Sequence, residues 1–182
     1  MKLIPTHLDG VFLLEPRVFT DERGTFIKPF HKDTLESLGL DADFKESFYS
    51  ISRKNVIRGM HFQSPPHEHS KLIYVSKGKI LDVVLDIREN SPTFGRFSSA
   101  ELSDRNNLMV YIKPGFAHGF ISLEDDTCVS YFHTTMHSPE HDLGVHFDSF
   151  GMDWQIENPV VSARDASFPT LEGFVTPFKN AQ

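Results

Sequence analysis

The segment RGMHFQSPPHEHSKL, residues 58–72, places three histidines, an arginine and a lysine within fifteen positions. Histidine is a common proton acceptor near neutral pH, because its unperturbed pKa is about 6.5. In this segment His61 could act as a base, Lys71 could stabilise a developing negative charge, and Arg58 could hold an anionic group of a substrate. These residue types therefore fit a proton-transfer site for an anionic substrate.

The same segment allows a metal site as an alternative. His67 and His69 would lie on the same side of an extended strand, and neutral imidazoles are common metal ligands. His118, in KPGFAHGF, could supply a third ligand. Ile73 and Tyr74 stand where a carboxylate would complete a common β-barrel metal site. Because a HxH pair alone is a weak signal, we predict no metal.

Tyr131 is the candidate acid for a proton-transfer site. In TCVSYFHT, residues 127–134, the alternation of a strand puts Val129, Tyr131 and His133 on one face. A tyrosine that faces a barrel interior beside a base could donate a proton. The alternative is that Tyr131 fills the core with its hydroxyl hydrogen-bonded, which is common for buried tyrosines.

The surrounding sequence predicts a mostly β protein that would position these residues. Seventeen phenylalanines, eleven glycines and eleven prolines are spread along the chain, which is typical of short strands joined by tight turns. The clearest strand is KILDVVLDIR (79–88), where one apolar and one mixed face alternate with a period of two. Similar runs are KLIYV (71–75), LMVYIK (108–113) and TCVSYFHT (127–134). This spacing fits a barrel or sandwich.

One short helix and a single domain complete the predicted architecture. Leu35 and Leu38 are at helical spacing in HKDTLESLGL (31–40), and Gly39 is a C-terminal stop signal. The length of 182 residues, without a composition shift or internal repeat, predicts one domain over residues 1–182.

The composition limits the function and the location of the protein. A net charge of −7 argues against a nucleic-acid binder, because such proteins need a cationic surface. Cys128 is the only cysteine, so no intrachain disulfide can form and we expect a cytoplasmic protein. The first nineteen residues contain no apolar run long enough for a signal peptide or a membrane anchor.

A set of motifs in a fixed order resembles the dTDP-4-dehydrorhamnose 3,5-epimerase family, a cupin-fold group that acts on nucleotide-linked 4-keto-6-deoxy sugars. The resemblance covers most of residues 12–170. Each motif alone is weak, and the ordered set is strong. The motifs are DERGTF (21–26), VIRGMHFQ (56–63), KLIYVSKGKILDVVLDIRENSPTFG (71–95), LSDRNN (102–107), PGFAHGF (114–120), VSYF (129–132), GMDW (151–154) and VSARD (161–165).

The resemblance implies a cupin-type jelly-roll barrel with short peripheral helices, which holds the sugar inside and forms a homodimer. It implies that His61 is the catalytic base, that Asp165 orients and polarises it, and that Tyr131 is the acid on the opposite face of the sugar. Lys71 corresponds to a lysine near the C4 oxygen. The implied substrate-binding residues are Arg23, Arg58, His118, Phe26, Gln63, Lys28 and Glu46, with the two arginines on the diphosphate.

The implied chemistry explains why these residue types are needed. A ketone at C4 acidifies the hydrogens on C3 and C5, because the carbanion can spread onto oxygen as an enolate. An imidazole can remove such a proton, and a carboxylate on its other nitrogen fixes the tautomer. A protonated lysine would stabilise the enolate oxygen. No metal or redox cofactor is required.

Several positions differ from the pattern of the dTDP-linked members. Lys28 stands where a glutamate helps to read the thymine, Glu46 and Phe48 replace a glutamine and an asparagine, and Met136 with His137 replaces a tyrosine pair. Lysine has only donors, whereas the thymine N–H needs an acceptor. We therefore predict a base other than thymine, with CDP ahead of GDP. The alternative is that Lys28 points outward and dTDP still binds.

Other functions remain open from the sequence. Related enzymes that invert only C3 keep the same base, carboxylate and tyrosine, so one or two carbons could be inverted. Rival functions are a sugar-nucleotide 3,4-ketoisomerase, a metal-dependent cupin enzyme and a non-catalytic sugar-nucleotide binder. The set of His61, Lys71, Tyr131 and Asp165 favours epimerisation. The apolar run VFLLEPRVF (11–19) could cross to the partner subunit of a homodimer.

Overall fold

The computed structural model describes residues 1–179 of the chain and contains thirteen strands, which confirms the prediction of a mostly β fold. The strands are β1 (Lys2–Pro5), β2 (Val11–Glu15), β3 (Val18–Asp21), β4 (Gly24–Ile27), β5 (Glu46–Ser52), β6 (Ile57–Gln63), β7 (Lys71–Lys77), β8 (Lys79–Asp86), β9 (Phe97–Ser103), β10 (Met109–Ile112), β11 (Phe116–Ser122), β12 (Thr127–His133) and β13 (Asp142–Gly144).

Two antiparallel sheets form the body of the fold. One sheet has six strands in the order β1-β2-β10-β7-β12-β5, and the other has five in the order β13-β6-β11-β8-β9. Neighbours in space are mostly distant in sequence, as in a jelly roll. Consequently β7 and β12 of one sheet and β6 and β11 of the other bring segments from across the chain around one interior.

The two-residue period of the strands decides which side chains face that interior. On β12, Val129 and Tyr131 belong to the core between the sheets, whereas Phe132 points to the outer core. On β8 the pattern gives a result that the sequence did not predict. Its mixed face, with Val84, faces the interior between the two sheets. Its apolar face, with Val83 and Leu85, is buried under the segments that cover the other side of the sheet.

The outer faces of both sheets are covered by non-strand segments. Helix α1 (Lys32–Ser37) places Leu35 in the outer core of the six-stranded sheet, and Gly39 follows with a φ of 75°, which confirms the predicted helix and its stop. Helix α2 (Ala163–Ala166) and the 3₁₀ helix Leu171–Gly173 lie in the segment that covers the five-stranded sheet. Within residues 1–179, no helix is long and apolar enough to cross a membrane.

Glycines allow an unusually close approach of β6 and β11. A Cβ atom on Gly59 would stand 2.5 Å from the Cα atom of Gly119, so both positions need to be free of side chains. In the same pair of strands His61 is the register partner of His118. The close approach therefore places two histidines side by side on the interior face.

The β3 and β4 strands form a separate hairpin that exposes apolar side chains. Val18, Phe19 and Phe26 are 45%, 57% and 60% exposed. Exposed clusters of this kind commonly mark interaction surfaces.

Candidate active site

A cavity of about 480 Å³ opens into the interior between the two sheets. Its lining includes the residues that the sequence suggested for chemistry, namely His61, Lys71, Tyr131, Arg58 and His118. The predicted base, acid and lysine are therefore brought together from β6, β7 and β12, although they are up to seventy residues apart. Asp165 reaches this group from α2.

His61 and Asp165 form a hydrogen-bonded pair at the cavity. Nε2 of His61 lies 2.9 Å from Oδ1 of Asp165, and the backbone N–H of Gly59 donates to Oδ2 at 3.0 Å. Asp165 is buried, whereas the His61 side chain is 31% exposed. Burial alone would raise the pKa of Asp165, but the hydrogen bonds from His61 and Gly59 hold that pKa below its usual range. Asp165 is therefore an ionised partner for the imidazole.

A short cap fixes the position of this carboxylate. The hydroxyl of Ser162 accepts a hydrogen bond from the backbone N–H of Asp165 at 3.0 Å, which caps α2. The side chain of Arg164 reaches Asp142 of β13 at 2.8 Å. Since β13 pairs with β6, these contacts tie α2 to the strand that carries His61.

Lys71 is a buried ammonium group beside the histidine. Its Nζ donates a hydrogen bond to the backbone carbonyl of His61 at 2.9 Å, and the residue is 6% exposed. Burial lowers the pKa of Lys71 to about 8, against the opposing influence of Asp142 and Asp82. A desolvated cation at this position can stabilise negative charge on a bound substrate.

The lowered pKa of Lys71 predicts an alkaline limit to activity. The charged form is present below about pH 8 and is lost as the pH rises through that value, so kcat/KM should fall on the alkaline side with an apparent pKa near 8. The substitution Lys71→Arg should move this limb above the accessible range, because guanidinium stays charged. Initial rates between pH 6 and pH 10 test both expectations, and a wild-type profile that stays flat to about pH 10 would contradict them.

Tyr131 faces the cavity on the same strand face as Val129, as the alternation predicted. Its ring stacks on Phe48 at 4.7 Å between centroids, and the residue is 8% exposed. Burial raises the pKa of the Tyr131 phenol. The hydroxyl therefore stays protonated at neutral pH and is available as a proton donor.

A second histidine and carboxylate pair lies deeper in the cavity wall. Nε2 of His118 is 2.6 Å from Oδ2 of Asp82, and both residues are almost fully buried. Burial lowers the pKa of His118, although Asp82 opposes this shift. The sequence placed His118 at the pocket but missed Asp82, whose only signal was its position on the mixed face of β8.

The remaining predicted binding residues in the cavity differ in how many hydrogen bonds they already make to the protein. Arg58 donates through Nε to the hydroxyl of Ser52 at 3.0 Å, and Glu46 accepts from the backbone N–H of His137 at 2.9 Å. Both line the cavity. Gln63 also lines it, but hydrogen bonds to backbone atoms hold both ends of its amide. Gln63 thus also holds the cavity wall in position, and its substrate-binding role stays a prediction.

Three predicted substrate-binding residues lie away from this cavity in the same chain. Arg23 is exposed at the turn of the β3–β4 hairpin and pairs with Asp21 at 2.6 Å. Phe26 and Lys28 lie along a separate groove of about 310 Å³. The sequence could not show this separation, because the hairpin extends from the barrel instead of folding over its own cavity.

The HEH segment does not bring its histidines to one point. The ring of His67 lies against that of His141 at 4.3 Å between centroids, tilted by 42°. His69 is buried and stacks on His133 at 4.0 Å. His69 is thus part of the cavity wall. No group of three His, Cys, Asp or Glu residues within 1–179 is arranged to hold a metal ion.

The fold and the site define a class of protein. It is a jelly-roll barrel with a histidine and carboxylate pair, a buried lysine and a protonated tyrosine around one interior cavity. The model of the dTDP-4-dehydrorhamnose 3,5-epimerase family matches residues 5–173, and the chain belongs to that family. The predictions of a cupin-type jelly roll and of an isomerase are thereby confirmed.

Individual relatives agree over nearly the whole chain. A dTDP-4-dehydrorhamnose 3,5-epimerase of Methanothermobacter thermautotrophicus is 38% identical over 175 residues, which cover 93% of this chain and 94% of the relative. The structure of a Legionella pneumophila 3,5-epimerase in complex with dTDP-4-keto-L-rhamnose is 33% identical with a TM-score of 0.94, and covers 100% of this chain and 98% of that one. A Streptomyces bikiniensis 3′-monoepimerase in complex with dTDP-quinovose is 29% identical with a TM-score of 0.88, and covers 93% and 87%.

Proposed function

We propose that the protein inverts C3 of a nucleotide-linked 4-keto-6-deoxy sugar through an enolate, in the biosynthesis of a deoxysugar. The observation that carries this proposal is the 2.9 Å pair of His61 and Asp165 at a cavity that also contains Lys71 and Tyr131. Membership of the epimerase family supports the substrate class. The geometry of the cavity supports the roles that the family resemblance implies for the individual residues.

His61 is the base in this mechanism. Its Nε2 faces the ionised Asp165 and therefore carries the hydrogen, which leaves Nδ1 free to accept a proton from C3 of the sugar. The electrons of the C3–H bond form a double bond between C3 and C4, and the π electrons of the C4 carbonyl move onto its oxygen, giving an enolate. Asp165 then stabilises the imidazolium that forms. Asp165 thus fixes the tautomer of His61 before proton transfer and stabilises its positive charge afterwards.

Lys71 and Tyr131 complete the reaction. The ammonium group of Lys71 stabilises the negative charge that develops on the C4 oxygen. The phenol of Tyr131 donates its proton to C3 from the face opposite His61, which inverts the carbon. Proton exchange with solvent restores the neutral phenol and the neutral imidazole, so the cycle needs no redox step.

The substitution Tyr131→Phe should separate proton removal from inversion. His61 would still take the C3 proton and return one from solvent on the same face, so deuterium should enter the substrate without inversion. We expect inversion to fall by about two orders of magnitude and deuterium wash-in by less than about tenfold. Proton NMR in deuterium oxide measures both. If wash-in and inversion fell by the same factor, Tyr131 would not be the acid.

The number of inverted carbons is the next question about the reaction. The relatives include a 3,5-epimerase and a 3′-monoepimerase on the same fold, so the fold permits both outcomes. Met136 and His137 stand where the family has a tyrosine pair, and His137 lines the cavity, which supports a C3-only reaction. Deuterium at C5 as well as C3 in the NMR experiment would exclude the C3-only reaction.

The nucleotide is predicted from Lys28 to carry a base other than thymine, with CDP ahead of GDP. Against this stands the dTDP portion of the ligands named for the structural relatives. We expect isothermal titration to give a lower Kd for CDP than for dTDP, and Lys28→Glu to shift the preference towards dTDP. The idea fails if the wild type binds dTDP clearly best.

A homodimer would account for the predicted binding residues that lie outside the cavity. The β3–β4 hairpin carries Arg23 and Phe26, leads directly to Lys28, and exposes an apolar surface around Phe19. Docking of this hairpin on a second copy would bury that surface and bring the three residues to the cavity of the partner. In such a homodimer Arg23, Phe26 and Lys28 would bind the nucleotide at the cavity of the partner subunit.

A further inference from the structure

Two histidines of the cavity wall have no role in the mechanism above. His69 and His133 stack with their centroids 4.0 Å apart and their planes within 16°. Both line the cavity, and the Nε2 atoms of both are shielded from solvent without a hydrogen-bond partner among residues 1–179. Leaving a buried polar atom without a hydrogen-bond partner is destabilising, so an arrangement with two such atoms suggests a missing ligand.

The hydrogen bonds around His69 favour one tautomer of its ring. Oε1 of Gln63 accepts from the backbone N–H of Ser138 at 2.6 Å, which orients the amide. The amide nitrogen of Gln63 then donates to the carbonyl of His67 at 2.8 Å and to Nδ1 of His69 at 3.2 Å. The hydroxyl of Thr135 donates to the same carbonyl of His67 at 3.0 Å. The Thr135 hydroxyl also lies 3.3 Å from Nδ1 of His69. With the Gln63 amide as the donor to Nδ1, Nδ1 is an acceptor and Nε2 carries a hydrogen that needs an acceptor.

Both rings are uncharged under ordinary conditions. Burial, with a contribution from Lys71, lowers the pKa of His69 to about 3. Burial and the neighbouring His69 also lower the pKa of His133 far below its usual value. A neutral imidazole has one donor and one acceptor nitrogen, so His133 can accept a hydrogen where His69 donates one. Together they match a hydroxyl group, which both accepts and donates.

The position of the pair indicates which hydroxyl. His133 on β12 is the register partner of Lys71 on β7, so their side chains are cross-strand neighbours on the interior face. In the proposed mechanism Lys71 holds the C4 oxygen of the sugar. C4 is flanked by C3, which carries a hydroxyl, and by C5, which carries a methyl group and the ring oxygen in a 6-deoxy sugar. The ring oxygen can only accept a hydrogen bond, so the hydroxyl nearest the C4 oxygen is the C3 hydroxyl.

We propose that His69 and His133 form a subsite that binds the C3 hydroxyl of the substrate, with His69 as donor and His133 as acceptor, and that they determine specificity for a 3-hydroxylated sugar. This inference rests on the proposed function. Because the two nitrogens are shielded in the free protein, binding includes a small rotation of the rings that exposes them to the ligand.

The test compares two sugars that differ only in this hydroxyl. The substitutions are His69→Phe and His133→Phe, which keep the rings and remove the nitrogens. The substrates are 4-keto-6-deoxyglucose and its 3-deoxy analogue, each linked to whichever of CDP, GDP and dTDP supports the fastest exchange by the wild type. The readout is the rate of deuterium wash-in at C3. Each substitution should lower the preference for the hydroxylated sugar about tenfold, the factor expected for one hydrogen bond. His67→Phe is the matched control, because the ring of His67 lies against His141 outside the cavity. This variant should keep the wild-type preference for the hydroxylated sugar.

The outcomes separate this inference from the proposed function. Equal losses on both sugars would show that the rings serve only the fold and would overturn the subsite, as would an unchanged preference in both variants. If His69→Phe failed to fold, His133→Phe, at a less buried position, would give the same comparison. A wild type that exchanged neither sugar in the CDP, GDP or dTDP form would overturn the proposed function itself.

Discussion

Replacing His61 by asparagine should lower kcat/KM for epimerisation by about three orders of magnitude, within the range for a general base. Asparagine can still donate a hydrogen bond to Asp165, so the carboxylate is not left unpaired. It has no group that can accept a proton from carbon near neutral pH. The expected loss is therefore in proton removal, and both deuterium wash-in and inversion should fall together.

The comparison for His61→Asn needs a histidine of the same chain outside the cavity. His7 is exposed, and its ring lies 3.1 Å from the backbone carbonyl of Phe97, so His7→Asn should retain wild-type kinetics. Rates of both variants can be followed by NMR of the sugar protons. A His61→Asn enzyme that kept more than about a tenth of the wild-type rate would rule out His61 as the base.

The substitution Lys71→Met should lower kcat by about two to three orders of magnitude, as the loss of one preorganised donor to an oxyanion typically does. Methionine fills a similar volume but carries no charge, so the enolate loses the ammonium group that stabilises it. Because the diphosphate is assigned to Arg58 and Arg23, the Kd for a nucleoside diphosphate should change by less than about threefold.

Lys77→Met is a suitable control for this variant. Lys77 ends the same strand, and its side chain is 66% exposed. Steady-state kinetics give kcat, and titration of the nucleoside diphosphate gives the Kd. Weakened nucleotide binding with an unchanged kcat would place Lys71 at the diphosphate and contradict its assignment to the C4 oxygen.

Local patterns in the sequence were sufficient for the strands β7, β8, β10 and β12 and for the inward face of β12. The alternation around Tyr131 correctly predicted its face, because a strand with one buried face has a fixed register. The short helix was predicted from Leu35 and Gly39 for the same local reason. The pairing of His61 with Asp165 joins residues 104 positions apart, and only the resemblance to a family supplied it.

Other features depended on long-range geometry that no local pattern records. Asp82 meets His118 only because β8 turns its mixed face inward. The stacking of His69 on His133 requires a loop to pack against the end of β12. The separation of Arg23 from the cavity follows from the direction of the β3–β4 hairpin.

The central claim is that His61 removes a proton from the carbon next to the C4 ketone. The most direct measurement is deuterium incorporation into CDP-, GDP- and dTDP-linked 4-keto-6-deoxyglucose, followed by mass spectrometry and proton NMR. Each sugar is incubated in deuterium oxide with the wild-type protein and, in parallel, with the His61→Asn variant. The account predicts that at least one of the three gains deuterium at C3, and that the His61→Asn protein gives about a thousandth of that rate. No deuterium in any of the three sugars, or equal incorporation by the variant, would contradict it.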